Sequence, residues 1–314
     1  MRIVFFGDGR WATLCLKRLL NDDHKILAVV LRRQPSDSSL SKLAESIGCF
    51  TYQPDNVNDP DFVSLVAFLA PQLNISMSYD QIIHKPLMNT ASLGFINCHA
   101  GKLPRYRGRN VINWAIINNE KEIGLTIHYV DEGIDTGDII LQETLPVCWD
   151  DTYGILLERI TQRFPELLSE AVYLIGEDKA PRISQNHIQG SYFGKRMPGD
   201  EWLDWNDTSL NLYNKIRAIT HPGPGARTLF EGRTLIVWQA RYEPAWPKYI
   251  ATPGEVVGRL DGKGVMVKTG DSILLLEKVQ IEKGAECLPG FPVGTRLGVN
   301  FLQMIYELQK KLLR

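Results

Sequence analysis

Short apolar runs alternating with helical spacing set the rhythm of the first half of the chain. Residues 2–6 predict a buried strand, followed by Gly7-Asp8-Gly9-Arg10 and a helical pattern to residue 20. Residues 24–31 predict a second strand, 38–47 a helix with serines to cap it, and 50–53 a short strand. A helix over 61–69 opens on Asp59-Pro60, and a strand follows over 73–78. The compact apolar run 93–96 reads as another strand, with Asn97 and His99 at its end. A helix is expected over about 110–118, strands over 124–130 and 139–144, and a long helix over about 152–175. Strand and helix alternating through short connections predict an α/β fold with a doubly wound parallel sheet. The pair beginning at Gly124 is expected to close one edge like a hairpin.

The pattern changes after Gly176. Residues 177–207 are polar and punctuated by Pro181, Gly190, Pro198 and Gly199, which suggests a connecting segment. A helix over about 210–219 ends at His221-Pro222-Gly223-Pro224-Gly225. Five short strands then follow, over 228–230, 234–240, 254–260, 264–268 and 272–279, the signature of a small β-barrel. A last helix is expected over about 298–313. The resulting division is a first domain over 1–187, a linker over 188–207 and a second domain over 208–314.

Charge and cysteine usage narrow the class. The 35 Lys and Arg balance 36 Asp and Glu, which argues against bulk binding to nucleic acid or a membrane surface. Five scattered cysteines without a CxxC pair suit free thiols in a reducing compartment rather than a structural zinc site. No stretch approaches the ~20 apolar residues of a membrane span, and no signal peptide is evident, so a cytoplasmic protein is expected.

Asn97 and His99 stand two apart on a strand and so project to one side, while Cys98 turns to the other. Asp135 lies between Gly133 and Gly137, on a tight turn. An amide, an imidazole and a carboxylate sharing one cleft form an acyl-transfer set without a covalent nucleophile. The alternative is that Asn and Asp terminate turns and His99 is a satisfied polar residue. His99 has no second His or Cys at ligand spacing, so no metal is expected. Gly7-Asp8-Gly9 offers either a ligand-approached helix start or a plain strand-to-helix turn. Lys102, Arg105, Arg107 and Arg109 form a solvated loop by default, or an anion-holding one beside a catalytic edge. His128 and His221 carry no evident role.

The order Asn97-Cys98-His99, Pro104, Gly108 and then Gly124-Leu125-Thr126-Ile127-His128-Tyr129-Val130-Asp131-Glu132-Gly133-Ile134-Asp135-Thr136-Gly137 resembles the 10-formyltetrahydrofolate-dependent formyltransferases. The family's usual Ser-Leu-Leu-Pro after the histidine is Gly101-Lys102-Leu103-Pro104 here. Further likeness lies in Leu203-Asp204-Trp205, Ile216-Arg217-Ala218 and Pro222-Gly223-Pro224-Gly225-Ala226, so it covers nearly the whole chain. The resemblance implies a Rossmann-like formyltransferase domain followed by an OB-like barrel. It also implies a formyl carbon placed between His99 and an acceptor amine, with Asn97 and His99 donating to the developing oxyanion and Asp135 orienting or charging His99 and taking part in moving the amine's proton. It implies folate contacts from Gln81, Ile82, Ile83, Asp131 and Gly133. Gly9, Arg10, Met77, Ser78, Arg105 and Arg109 are the expected substrate contacts.

Tyr106-Arg107-Gly108-Arg109, Asn113-Trp114 and Phe193-Gly194-Lys195-Arg196-Met197-Pro198 look most like enzymes that formylate nucleotide-linked aminosugars, which act in cell-surface polysaccharide (O-antigen) synthesis. Methionyl-tRNA formyltransferase shares the architecture, and a catalytically silent folate- or nucleotide-binding protein is the alternative of another class. Residues 200–314 hold 15 Lys/Arg against 13 Asp/Glu, a weak excess for gripping tRNA, so nucleic acid is not the expected partner. A homodimer is compatible with this reading.

Overall fold

The structure, a computed structural model, describes residues 1–298 and 301–312. The first half follows the strand-helix alternation: β1 (Arg2–Gly7), α1 (Gly9–Asn21), β2 (Lys25–Leu31), α2 (Ser39–Ser46), β3 (Thr51–Tyr52), α3 (Pro60–Leu69) and β4 (Leu73–Met77). Then come α4 (Lys85–Met88), β5 (Phe95–His99), β6 (Arg107–Gly108), α5 (Val111–Ile117), β7 (Glu122–Tyr129), β8 (Ile139–Pro146) and α6 (Tyr153–Gly176). Seven strands form one sheet in the order β3-β2-β1-β4-β5-β7-β8. The first five are parallel, and β7 and β8 add antiparallel at the edge, as the hairpin reading expected. Near-continuous apolar strands fit this arrangement, because β1 and β4 are covered on both faces. Side chains of α1 such as Cys15, Leu16 and Leu19, and of α6 such as Phe164 and Leu168, are fully buried. A separate cluster joins Val4, Phe6, Ala28 and Val30 to Phe62 and Val66 of α3.

The chain sorts into two compact units, one of residues 1–112, 121–147 and 156–195, the other of 113–120, 148–155 and 196–314. The segment expected as a linker is thus divided. Its first part is hydrogen-bonded into the first unit, where β9 (Tyr192–Phe193) pairs parallel with β6. Neither of these two-residue strands was expected, because each is too short to show a period.

In the second unit, α7 (Ser209–Ile219) accompanies β10 (Ala226–Phe230), β11 (Arg233–Arg241), β12 (Val256–Leu260), β13 (Gly264–Lys268) and β14 (Ile273–Ile281). They form an antiparallel sheet in the order β10-β11-β14-β13-β12, which leaves β10 and β12 at opposite edges. Residues 295–298 bridge both edges, with Val256 N donating to Thr295 O and Gly298 N to Leu229 O, each at 2.8 Å. These bonds satisfy main-chain groups on both edge strands, which would otherwise face solvent unpaired. Arg217 of α7 is buried and donates to Asp151 O at 2.7 Å, which ties 148–155 into this unit. α8 (Phe301–Leu312) ends the described chain; residues 299, 300 and 313 of the expected last helix lie outside the described residues. Among the described residues, no helix is long and apolar enough to cross a membrane.

Candidate active site

Asn97 and His99 lie within β5 rather than after it, and strand alternation aims both at the same side. Antiparallel pairing sets His128 of β7 directly opposite Asn97 and Thr126 opposite His99. That register is what brings the second imidazole to the site. Because β7 runs against β5, the loop after it leaves beside Phe95, where β5 begins; Val130 N donates to Phe95 O at 2.7 Å. Asp135 therefore reaches the two β5 side chains from a loop that doubles back toward them, and it holds φ +53° to do so.

The carboxylate of Asp135 is surrounded. Its Oδ2 accepts from Gly108 N at 2.8 Å and lies 3.5 Å from His99 Nδ1. Its Oδ1 lies 3.4 Å from His128 Nε2 and 3.4 Å from Asn97 Nδ2. Burial alone pushes this carboxyl up, but the two imidazoles and the Gly108 amide outweigh it and hold Asp135 well below the usual carboxylate range. It is an anion at neutral pH. His128 Nδ1 faces Tyr129 O at 2.8 Å, so that nitrogen carries its hydrogen and Nε2 accepts from Asn97 at 3.2 Å when the ring is neutral. His99 Nε2 donates to Tyr106 O at 2.6 Å. Cys98 projects away into the core, where burial pushes its thiol up, so no activated nucleophile stands here.

The loop after β5 is fitted closely around these groups. A Cβ at Gly101 would fall 2.3 Å from Tyr106 O and 2.5 Å from His99 Nε2, so the serine usual in the resembling family has no room in this conformation. Gly108, at φ +95°, lets Phe193 O approach to 2.2 Å from where a Cβ would stand. Tyr106 stacks flat on Phe193, with centroids 4.9 Å apart.

The remaining expected contacts divide. Gln81 spends its side-chain amide internally, on Val57 N at 2.7 Å and Pro54 O at 3.1 Å, leaving its main chain for a ligand. Ile82 is exposed and Ile83 buried. Asp131 accepts from Gly133 N at 3.1 Å and from Thr136 Oγ1 at 2.5 Å, so it shapes its own loop. Lys85 of α4 pairs with Glu132 at 3.9 Å and joins the 81–85 stretch to that loop. Gly9 opens α1 at φ +75°, and Arg10 is exposed and paired with Glu158. Met77 is fully buried, which keeps its side chain from any substrate, while Ser78 accepts from Arg32 at 2.8 Å. The guanidinium of Arg105 lies 5.7 Å from the Tyr106 ring centroid, and Arg109 donates to Asp80 O at 2.5 Å. The structure thus gathers Asn97, His99 and Asp135 at one point and spreads the other candidates over the adjoining loops. His128 escaped the sequence reading because only strand register shows what it faces. Arg107, read as a loop cation, is completely buried. Among the described residues, no three His, Cys, Asp or Glu side chains are grouped as metal ligands.

Comparison with known proteins adds to this geometry. A family model described as "Formyl transferase" matches residues 1–172, and one described as "Formyl transferase, C-terminal domain" matches 196–289. A methionyl-tRNA formyltransferase from Pelotomaculum thermopropionicum is 34% identical over 292 residues, covering 90% of this chain and 91% of that one. Another from Syntrophus aciditrophicus is 35% identical over 289 residues, covering 89% and 91%. Among solved structures, the sugar 3N-formyl transferase WlaRD superposes with a TM-score of 0.69 at 20% identity, over 88% of this chain and 97% of that one. An N-formyltransferase from Helicobacter canadensis, solved with folinic acid and dTDP-3-aminofucose, gives 0.67 at 20% identity, over 88% and 98%. HypX from Aquifex aeolicus gives 0.64 at 20% identity; this chain covers 46% of its length. At such identities these superpositions show a shared fold.

Proposed function

The chain belongs to the formyl transferase family, and from that premise we propose that it moves a formyl group from 10-formyltetrahydrofolate to the primary amine of a nucleotide-linked aminosugar. The observation that carries the transfer chemistry is the convergence of Asn97, His99 and Asp135 around one point. The site has the parts to receive the cofactor. The 81–85 and 131–134 loops are linked through Lys85 and Glu132 beside Asp135, and each exposes an isoleucine, Ile82 and Ile134. Gln81, Ile82, Ile83, Asp131 and Gly133 would hold it, and when bound it supplies an activated formyl carbonyl.

The chain's own groups then act on charge and on one proton. Asn97 and His99 carry N–H groups for a carbonyl oxygen that gains negative charge, each worth roughly 3 kcal/mol of barrier. Those donors are now engaged by Asp135, His128 and Tyr106 O, so a ligand must exchange partners with them. Asp135, ionised and flanked by two imidazoles, orients His99 and takes part with it in moving the proton that the acceptor amine gives up.

The aminosugar reading gains support from β6 and β9. Two of the three stretches that carry that resemblance, 106–109 and 193–198, are far apart in sequence, and Arg107 and Gly108 pair with Tyr192 and Phe193 next to Asp135. In the second unit, Arg233, Arg241, Lys278 and Arg296 are paired with Glu231, Glu277, Glu286 and Glu255, and Arg217 and Lys268 are buried. Those six cations are poorly placed to release counterions from a nucleic acid. Methionyl-tRNA formyltransferase is the second reading, favoured by relatives that share about a third of their residues over nine-tenths of the chain. The test offers 10-formyltetrahydrofolate with a panel of nucleotide-linked aminosugars and with charged initiator tRNA. Formylation of a sugar amine is expected; turnover confined to the tRNA would overturn the aminosugar assignment.

A further inference from the structure

Arg107 is fully buried two residues from a solvent-facing loop cation, and its partners come from 80 residues away in sequence. Its Nη2 and Nε donate to Gln185 Oε1 at 2.6 and 3.2 Å, its Nη1 to Tyr192 Oη at 2.8 Å, and Nη2 lies 3.1 Å from His187 Nδ1. Burying a guanidinium is costly unless its hydrogens are matched, and here a fork of donors meets acceptors on one short segment. Gln185 is buried too, and its other end is turned to the active-site loop. Its Nε2 donates to Asp135 O at 2.9 Å and to Gly137 O at 2.7 Å. One glutamine amide therefore holds Arg107 with its oxygen and the peptide of Asp135 with its nitrogen.

The bonds close a ring. Arg107 precedes Gly108, Gly108 N donates to Asp135 Oδ2, and the peptide of Asp135 returns through Gln185 to Arg107. Asp135 needs such a tie for two reasons. Its loop doubles back from the far end of β7, and its φ of +53° is a conformation that a non-glycine residue keeps only when its surroundings impose it.

We propose that Gln185 and Arg107 are positioning residues for the formyl-transfer reaction, with Gln185 clamping the Asp135 turn against the 107–108 strand. The inference rests on the reading of Asp135 as a catalytic residue, and Asp135→Asn serves as its control. Gln185→Glu keeps an oxygen for Arg107 but removes the N–H groups that hold Asp135 O and Gly137 O, so it separates the clamp from simple neutralisation of a buried cation. The expected result is a thermal midpoint near that of the wild type and faster hydrogen exchange at the Gly108 amide. Turnover with 10-formyltetrahydrofolate and dTDP-3-aminofucose or charged initiator tRNA, whichever the wild type formylates, is expected to fall roughly 10- to 100-fold in kcat with little change in KM. The acid limb of kcat/KM should move to higher pH, because a loosened Asp135 loses the Gly108 hydrogen bond that favours its ionised form. Wild-type Gly108 exchange and an unmoved acid limb in Gln185→Glu would overturn the clamp. Should that variant not fold, Arg107→Lys, which keeps the charge but not the fork, must show the same shift of the limb, and an unmoved limb there overturns it equally. Full turnover by Asp135→Asn would instead overturn the catalytic reading, and Gly108 exchange would still report on the clamp.

Discussion

Two aspartates of the first unit are shielded from solvent, Asp8 fully and Asp135 in part, and their partners differ in kind. Asp8, at the end of β1, accepts from Ser36 N at 2.8 Å and lies 3.2 Å from Arg32 Nη1. Asp135 faces two imidazoles, a side-chain amide and a main-chain N–H. A guanidinium never yields its proton at ordinary pH, so the Asp8 pair is a fixed brace that shapes the turn before α1. The Asp135 group instead carries N–H donors on side chains that can exchange partners with a ligand. Shielding from solvent is common to both; the partner decides whether such a carboxylate braces or reacts.

Removing each carboxylate's function should therefore produce opposite signatures. The largest effect is expected at the reactive site: Asp135→Ala, His99→Ala and Asn97→Ala should each lower kcat/KM roughly 10²- to 10⁴-fold while leaving the thermal midpoint nearly intact. Near-normal turnover by His99→Ala would end the assignment. Next, Arg32→Met strands Asp8 without its cation and should destabilise the fold by about 1–3 kcal/mol, discounted for the partial exposure of Arg32, while kcat changes little. Urea unfolding beside a turnover assay reads both, and a variant that loses activity without losing stability would erase the contrast. Gly101→Ser should cost roughly tenfold in kcat, since its Cβ must displace the Tyr106 carbonyl or the His99 ring. Unchanged turnover would mean that the loop relaxes freely.

A smaller effect follows from protonation. The folded-state pKa of Asp135 is depressed, so its ionisation contributes stability that is fully present above the unfolded carboxylate value of ~3.9 and is lost as pH falls below it. Between pH 7 and about 5 this group should cost nothing, and the wild type should lose more stability than Asp135→Asn on acidification from about pH 4 downward. Parallel thermal midpoints of the two proteins across that range would contradict the depressed value. Least of all, Arg10→Ala removes an exposed pair with Glu158 and should leave the thermal midpoint nearly unchanged. A rise in KM for the formyl acceptor would mark Arg10 as a substrate contact, and an unchanged KM would remove it.

Periodicity along the chain was enough to read most strands and helices, since each is a local matter of which side chains face a core. Asn97 and His99 could be placed on one side, and Cys98 on the other, from strand alternation alone, and the glycines around Asp135 marked its turn. What the chain does not write locally is pairing. His128 became a neighbour of Asn97 only through the antiparallel register of β7 on β5. Residues 183–193 read as linker because they are polar and aperiodic, yet their polar groups are the ones that satisfy a buried arginine and a doubled-back loop. The same holds for 295–298, whose main chain bonds to both edge strands of the second sheet. Local sequence determined the elements and the kinds of reactive group, because burial and turn chemistry act within a few residues. Tertiary structure alone decided which groups meet, because the hydrogen bond between Gln185 and Asp135 joins residues 50 apart in sequence.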